Sequence, residues 1–199
     1  MQGGAGVGRA VVVGVAAWML ARSACGGELA PDVKAGRRAQ GAIATLRMRL
    51  RQRLQAALAE GGPSAAVSVC ATEAPMLRDV VERDTGVRLG RASLRRRNPE
   101  PSAPPWVADW IAAQGERPVA GVTGLVETHA GAVRVLEPIG VEPVCVMCHG
   151  ARPGDSLPAE AVTMDPAVAA ALGQHYPADA ATGYAVGDLR GAFWAEADY

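Results

Sequence analysis

The stretch Pro143 to Gly150 (PVCVMCHG) constrains this 199-residue chain more than any other. It contains C-x-x-C-H, the spacing at which two thiols reach the vinyl groups on one edge of a porphyrin. The next residue, His149, is then held under the iron as the proximal ligand. A chain built this way has to leave a flat slot beside the motif and fold around what fills it. Zinc would need a second Cys/His pair at matching spacing, and the sequence has none. A thioredoxin-like C-x-x-C follows a strand and opens a helix, whereas this one reads as part of a Pro-rich loop. The motif therefore predicts one covalent haem c, attached through Cys145 and Cys148, with His149 on the iron.

Composition agrees with a large prosthetic group as core material. The aromatic residues are only four tryptophans, three tyrosines and one phenylalanine, while Ala, Val and Gly are abundant. Basic and acidic residues balance at 20 each, so no net charge points to nucleic acid. The length suits one domain behind a leader.

Haem c is attached outside the bacterial cytoplasm, so an export signal is expected, and residues 1–25 read as a signal peptide or N-terminal anchor. Met1 to Arg9 is a short positive segment, and Ala10 to Ala21 (AVVVGVAAWMLA) is apolar but short for a membrane span. Cys25 stands where a lipoprotein signal keeps its cysteine, but Arg22 spoils the apolar pattern before it. Ordinary cleavage, for example after Ser23, is the plainer reading and lipidation the alternative. The predicted location is periplasmic or otherwise extracytoplasmic, with membrane contact only through such an anchor.

The remaining 31–199 reads as one domain. From Val33 to Glu60 the residues Ile43, Leu46, Leu50, Leu54 and Leu58 recur at threes and fours, the stripe of a long amphipathic helix that stops at Gly61-Gly62-Pro63. Arg47, Arg49, Arg51 and Arg53 read as its solvated face. Ser64 to Ala71 is apolar, and Pro75 suits the first turn of a further helix ending at Gly86. Strands are expected over Val87 to Ser93, Val119 to Thr128, Ala132 to Ile139 and within Tyr184 to Glu196. Short helices are expected over Trp106 to Gln114 and, behind Asp165 and Pro166, to Gln174. Helices followed by mostly adjacent antiparallel strands make the class α+β.

The sixth iron position is open at this level, with Cys70, Met48, Met76, Met164, His129 and His175 as candidates. Methionines on amphipathic helices are more often core filler than ligands. An isolated thiol such as Cys70 is unusual in an exported protein, but a disulfide to Cys25 or simple burial would equally explain it, so spacing alone does not choose among the six. The basic run Arg95-Arg96-Arg97, with Arg91 before it, is the pool of candidate partners for haem propionates, because the guanidinium fork suits carboxylates.

Four blocks, in order, resemble the Tll-like haem c family of exported single-haem proteins. They are GGPSAAVSVCATEAP (Gly61 to Pro75), GVRLGRASLRRRNP (Gly86 to Pro99), CVMCHG (Cys145 to Gly150) and YPADAATGYAVGDLRG (Tyr176 to Gly191). The resemblance runs from about Ala39 to Ala197. It implies a PAS-like fold, an antiparallel sheet flanked by helices with a long N-terminal helix. It also implies that the iron is held by His149 on one side and Cys70 on the other. The three-arginine run departs from the family pattern.

With both axial positions filled, the expected role is electron transfer or redox sensing with a periplasmic redox partner protein, rather than catalysis. The alternatives are a gas-sensing PAS-like module signalling through a separate partner, and a haem peroxidase-type enzyme with an open sixth position. In the last case His129 or His175 would supply acid/base chemistry.

Overall fold

Small residues at helical spacing decide how the first half of the chain packs. Ala35, Ala39, Ala42, Ile43 and Leu46 are buried and share one face of α1 (Pro31–Thr85). In this computed structural model, which describes residues 29–98, 103–156 and 161–199, that face lies on a four-stranded sheet. The alanines let the helix axis come close to the strands, and Ile43 and Leu46 fill the space against Val133, Val135, Phe193 and Ala195. The stripe thus begins at Ala35, earlier than the leucine periodicity alone suggested. The predicted leader and Cys25 lie outside the described residues.

The helix does not run straight to Thr85. Gly62 has φ 70° and ψ −174°, a conformation essentially reserved for glycine. Here the chain folds back, so that Leu50 and Leu54 of the first arm border the same narrow crevice as Val69, Cys70 and Leu77 of the second. Arg49 reaches Asp84 at 3.6 Å, and Arg53 grips Glu73 through Nε–Oε2 at 2.6 Å and Nη2–Oε1 at 3.0 Å. The stop expected at Gly61-Gly62-Pro63 is therefore a hairpin corner. The second arm starts at Pro63, whose missing N–H is harmless in a first helical turn, and carries Pro75 in its interior rather than beginning there. Cys70 consequently lies on a helix.

The arginines read as a solvated face are in part a fastening. Arg47 pairs with Glu137 of the sheet and its Cζ stands 5.0 Å from the centroid of the Phe193 ring, while Arg51 pairs with Glu142.

The strands β1 (Arg88–Ala92), β2 (Leu125–His129), β3 (Ala132–Gly140) and β4 (Leu189–Asp198) are antiparallel in the order β1-β4-β3-β2. The β2–β3 hairpin turns at Ala130 and Gly131, both at positive φ, which matches the twist of the flanking strands. The face opposite α1 is covered by α2 (Pro105–Gln114), where Val107 and Ile111 meet Leu136 and Ala192. Trp106 meets Trp194 edge to face at 6.3 Å. The class is α+β, a sheet flanked by helices with a long N-terminal helix.

Two strands are shorter than their sequence pattern. Val119–Gly121 forms a 3-10 turn and β2 begins only at Leu125. β4 begins at Leu189, because Tyr184 and its neighbours bond to the chain around His149 instead. The remaining helices are α3 (Val146–His149) and α4 (Pro166–His175). α4 is capped by the Asp165 carboxylate, which accepts from Ala167 N at 2.7 Å. Its Val168 and Leu172 pack on Val67 of the second arm. Among the described residues no helix is long and apolar enough to cross a membrane.

Replacing Gly62 by Ala tests the corner. A Cβ there meets open space, so backbone strain is the only penalty. The expected loss is about 1–3 kcal/mol in urea unfolding at unchanged m-value. A midpoint equal to that of the native protein would show that the corner is not constrained by Gly62.

Candidate functional site

The C-x-x-C-H segment is a single helical turn rather than an irregular loop. Cys148 N and His149 N both donate to the Cys145 carbonyl, at 3.2 and 2.9 Å, and Gly150 N donates to Val146 O at 2.9 Å. The turn ends where Gly150 meets the passing chain. A Cβ at that position would sit 2.2 Å from the Val162 carbonyl oxygen, so no other residue fits. Cys145 packs with Val141, Val146, Ala181 and Tyr184, whereas Cys148 packs with Val67, Met164 and Tyr176. The two thiols therefore pack on two different hydrophobic clusters.

His149 is oriented from behind. Its Nδ1 lies 2.7 Å from the Ala181 carbonyl oxygen and 3.1 Å from an Nη2 of Arg97. A carbonyl only accepts and a guanidinium only donates, so both bonds cannot form with one tautomer. The shorter contact decides: Nδ1 carries the proton, and Arg97 Nη2 donates to the carbonyls of Cys148 and Ala181. Nε2 is then left with its lone pair. Burial above all, then the charges of Arg190 and Arg97, push the imidazole pKa well below its usual range, against the bond to Ala181 that raises it. A neutral ring with Nδ1 engaged is the form in which histidine ligates metals.

The Ala181 carbonyl is in turn held by Asp179. The Asp179 side chain is 0% exposed. It accepts from Ala181 N at 2.8 Å and lies 3.2 Å from Arg97 Nε and 3.4 Å from Arg152 Nη2. One buried carboxylate thus fixes both the carbonyl that orients the histidine and the arginine beside it.

Cys70 stands among Arg91, Arg97, Arg53, Tyr176 and Cys148, whose charges all interact with it. Cys70 is exposed by surface area, yet the protein packed around it raises its thiol pKa, and Arg91, Arg97 and Arg53 work against that rise. Arg91 is surrounded by protein closely enough to lower its own pKa, yet much of its surface stays accessible. Among the described residues no hydrogen bond or ion pair engages its guanidinium. Arg91 and Arg97 act on Cys70 and His149 alike, so thiol and imidazole share one electrostatic neighbourhood.

The other sequence candidates fall elsewhere. Met48 and Met76 are exposed, His129 and His175 are exposed at a strand end and a helix end, and Met164 is core beside Val67. Arg95 donates to the Thr182 carbonyl at 2.7 Å and lies 3.8 Å over the Tyr184 ring, away from Cys70. Arg96 is exposed, and its carbonyl accepts from Ala180 N at 2.9 Å. Of the four nominated arginines, Arg91 and Arg97 reach the neighbourhood of Cys70 and His149.

Sequence reading missed Asp179, Tyr184 and Arg190. Tyr184 meets the His149 ring edge to face at 6.2 Å. Burial, with Arg97 and Arg91 nearby, lowers the Arg190 pKa to about 10. All three lie within the Tyr176 to Gly191 block, so their place in a quoted motif was the available signal.

Among the described residues no three His, Cys, Asp or Glu side chains gather into a metal-ion cage. A prosthetic group that brings its own four nitrogens needs no such cage, only one protein donor on each face. The donor set fits that requirement: a neutral imidazole with a free Nε2, two thiols beside it, and a third thiol under the same arginines.

The fold and site together define an α+β module whose sheet and folded-back helix enclose a cysteine–histidine turn. Residues 30–196 match the profile of the Tll0287-like family, and the chain belongs to that family. Among solved structures it is similar to the crystal structure of the cyanobacterial haem protein Tll0287. That match has a TM-score of 0.54 at 22% identity and covers 80% of this chain and 94% of that one. Among curated proteins no sequence matches.

Substituting Asp179 by Asn should remove on the order of 3 kcal/mol from the unfolding free energy, since it leaves Arg97 buried without its counter-charge. Urea unfolding checks this. A loss under about 1 kcal/mol would mean that Asp179 is not the anchor of the site.

Proposed function

We propose that this chain is an exported haem c protein, with one haem bonded to Cys145 and Cys148 and its iron held between His149 and Cys70. The observation that carries the reading is the state of His149. It follows directly on the two attachment thiols, is neutral, has Nδ1 spent on the Ala181 carbonyl, and keeps Nε2 free. The likeness to a haem protein of the same fold supports the cofactor.

When bound, the haem supplies a one-electron ferric/ferrous couple, and a thiolate ligand favours the ferric state relative to Met/His ligation. The protein side of that chemistry lies in the residues around it. Arg91, Arg97 and Arg53 push Cys70 toward the thiolate without overcoming the burial that raises its pKa, so the iron itself would have to complete the deprotonation. Arg91, whose guanidinium has no protein partner among the described residues, is the first candidate for a haem carboxylate, and Arg97 the second. Asp179 and Ala181 prevent His149 from rotating or changing tautomer.

With a protein donor on each side, substrate has no open coordination position. The role that fits is electron transfer or redox sensing with a periplasmic partner rather than turnover of a substrate. Residues 1–25 would deliver the chain to the compartment where haem is attached.

Two comparisons test this. Protein isolated from a host that matures haem c should keep its haem after acid–acetone extraction, and Cys145→Ser with Cys148→Ser should release it. Cys70→Ala should convert a low-spin ferric absorption spectrum to a high-spin one. A Cys70→Ala spectrum identical to that of the native protein would contradict the assigned sulfur ligand.

A further inference from the structure

A cleft of about 310 Å³ opens beside Tyr184, and neither Cys70 nor any residue of the C-x-x-C-H turn lines it. Its charged lining is Arg95, Arg117 and Arg190 against Glu116 and Asp188. Both carboxylates are committed. Glu116 is 3.1 Å from Arg95 Nε, and Asp188 accepts from Ala185 N at 2.8 Å. Arg95 is ion-paired with Glu116 and donates to the Thr182 carbonyl, although its own buried Nε makes no hydrogen bond.

Two arginines are left over. The Arg117 side chain is exposed and has no ion pair or hydrogen bond among the described residues. Arg190 is half-buried, yet of its five donors one bonds, to the Arg95 carbonyl at 3.2 Å, and its buried Nε has no partner. Arg91 and Arg97 also bear on Arg190 and Asp179 offsets only part of them, so the cationic charge at this end of the sheet exceeds the acidic charge facing it. A buried guanidinium in that condition favours an anion with paired oxygens.

We propose that this cleft binds a small oxyanion, a carboxylate or a phosphate, between Arg117 and Arg190 against Tyr184. The same Tyr184 ring stands edge-on to His149 at 6.2 Å, so the occupant would be felt at the imidazole. That link to His149 rests on the haem reading; the binding itself does not.

The experiment is calorimetric titration of the full chain, as isolated, with succinate, inorganic phosphate and chloride. Saturable one-to-one binding of succinate or of phosphate, with none for chloride, is the expected result, and which of the two binds identifies the source. Arg117→Gln and Arg190→Gln should each weaken it by at least about tenfold, and Arg51→Gln should leave it unchanged. Because Arg117 is exposed, its variant carries the test even if Arg190→Gln fails to fold. Absence of saturable binding to the native chain, or binding that survives Arg117→Gln, would overturn the site. An absorption spectrum unmoved by saturating anion would overturn the link to His149 alone.

Discussion

The hydrogen bond from His149 Nδ1–H to the Ala181 carbonyl is the contact on which the arrangement around the Cys145–His149 turn depends. It decides the tautomer, and the tautomer decides which nitrogen is available. A bond to a flexible loop carbonyl would not hold a ring in place. Here the carbonyl belongs to a segment pinned by Asp179, whose buried carboxylate grips Ala181 N and Arg97 together. A charge buried this way contributes little net stability but fixes geometry, because leaving either partner alone is far more costly than keeping both. The Tyr176 to Gly191 block is therefore the backing plate of the site, which explains why β4 starts so late in it.

The second requirement is that sulfur from a distant part of the chain reach the same neighbourhood. The sheet alone does not supply it. α1 does, by lying along the sheet on its alanine face and reversing at Gly62 so that the second arm carries Cys70 back beside Arg91 and Arg97. Arg53 and Glu73 clamp the two arms near that sulfur, with Arg53 also within the field that Cys70 feels. The packing of a helical hairpin and the chemistry of a thiol are thus settled by the same few residues.

Much of this could be read in advance, for identifiable reasons. The C-x-x-C-H spacing is local, so Cys145, Cys148 and His149 needed no tertiary information. The α+β class followed from strong periodicity in α1 and from the β2–β3 turn at Gly131. Cys70 was separable from the methionines and other histidines only through resemblance, since pairing across the fold leaves no trace in spacing. The Gly61-Gly62-Pro63 stop was legible as a break but not as a reversal, because the same residues serve either. Pro75 misled for a related reason: proline marks a first turn statistically, whereas here the neighbouring arm and the ion pairs across it carry the helix through. Asp179 was invisible as an anchor, since nothing in an alanine-rich loop announces which carboxylate will be buried. The four arginines divided in a way no pattern predicts, Arg91 and Arg97 toward Cys70 and His149, Arg95 onto the Tyr184 ring and Arg96 to the surface.

Iron-edge X-ray absorption on the ferric, haem-loaded protein tests the proposed pairing of Cys70 and His149 on one iron most directly. One sulfur scatterer in the first shell, together with the nitrogen set, is the predicted result, and it should disappear in Cys70→Ala. A first shell of nitrogen and oxygen alone in the native protein would mean that Cys70 and His149 do not meet across a common metal.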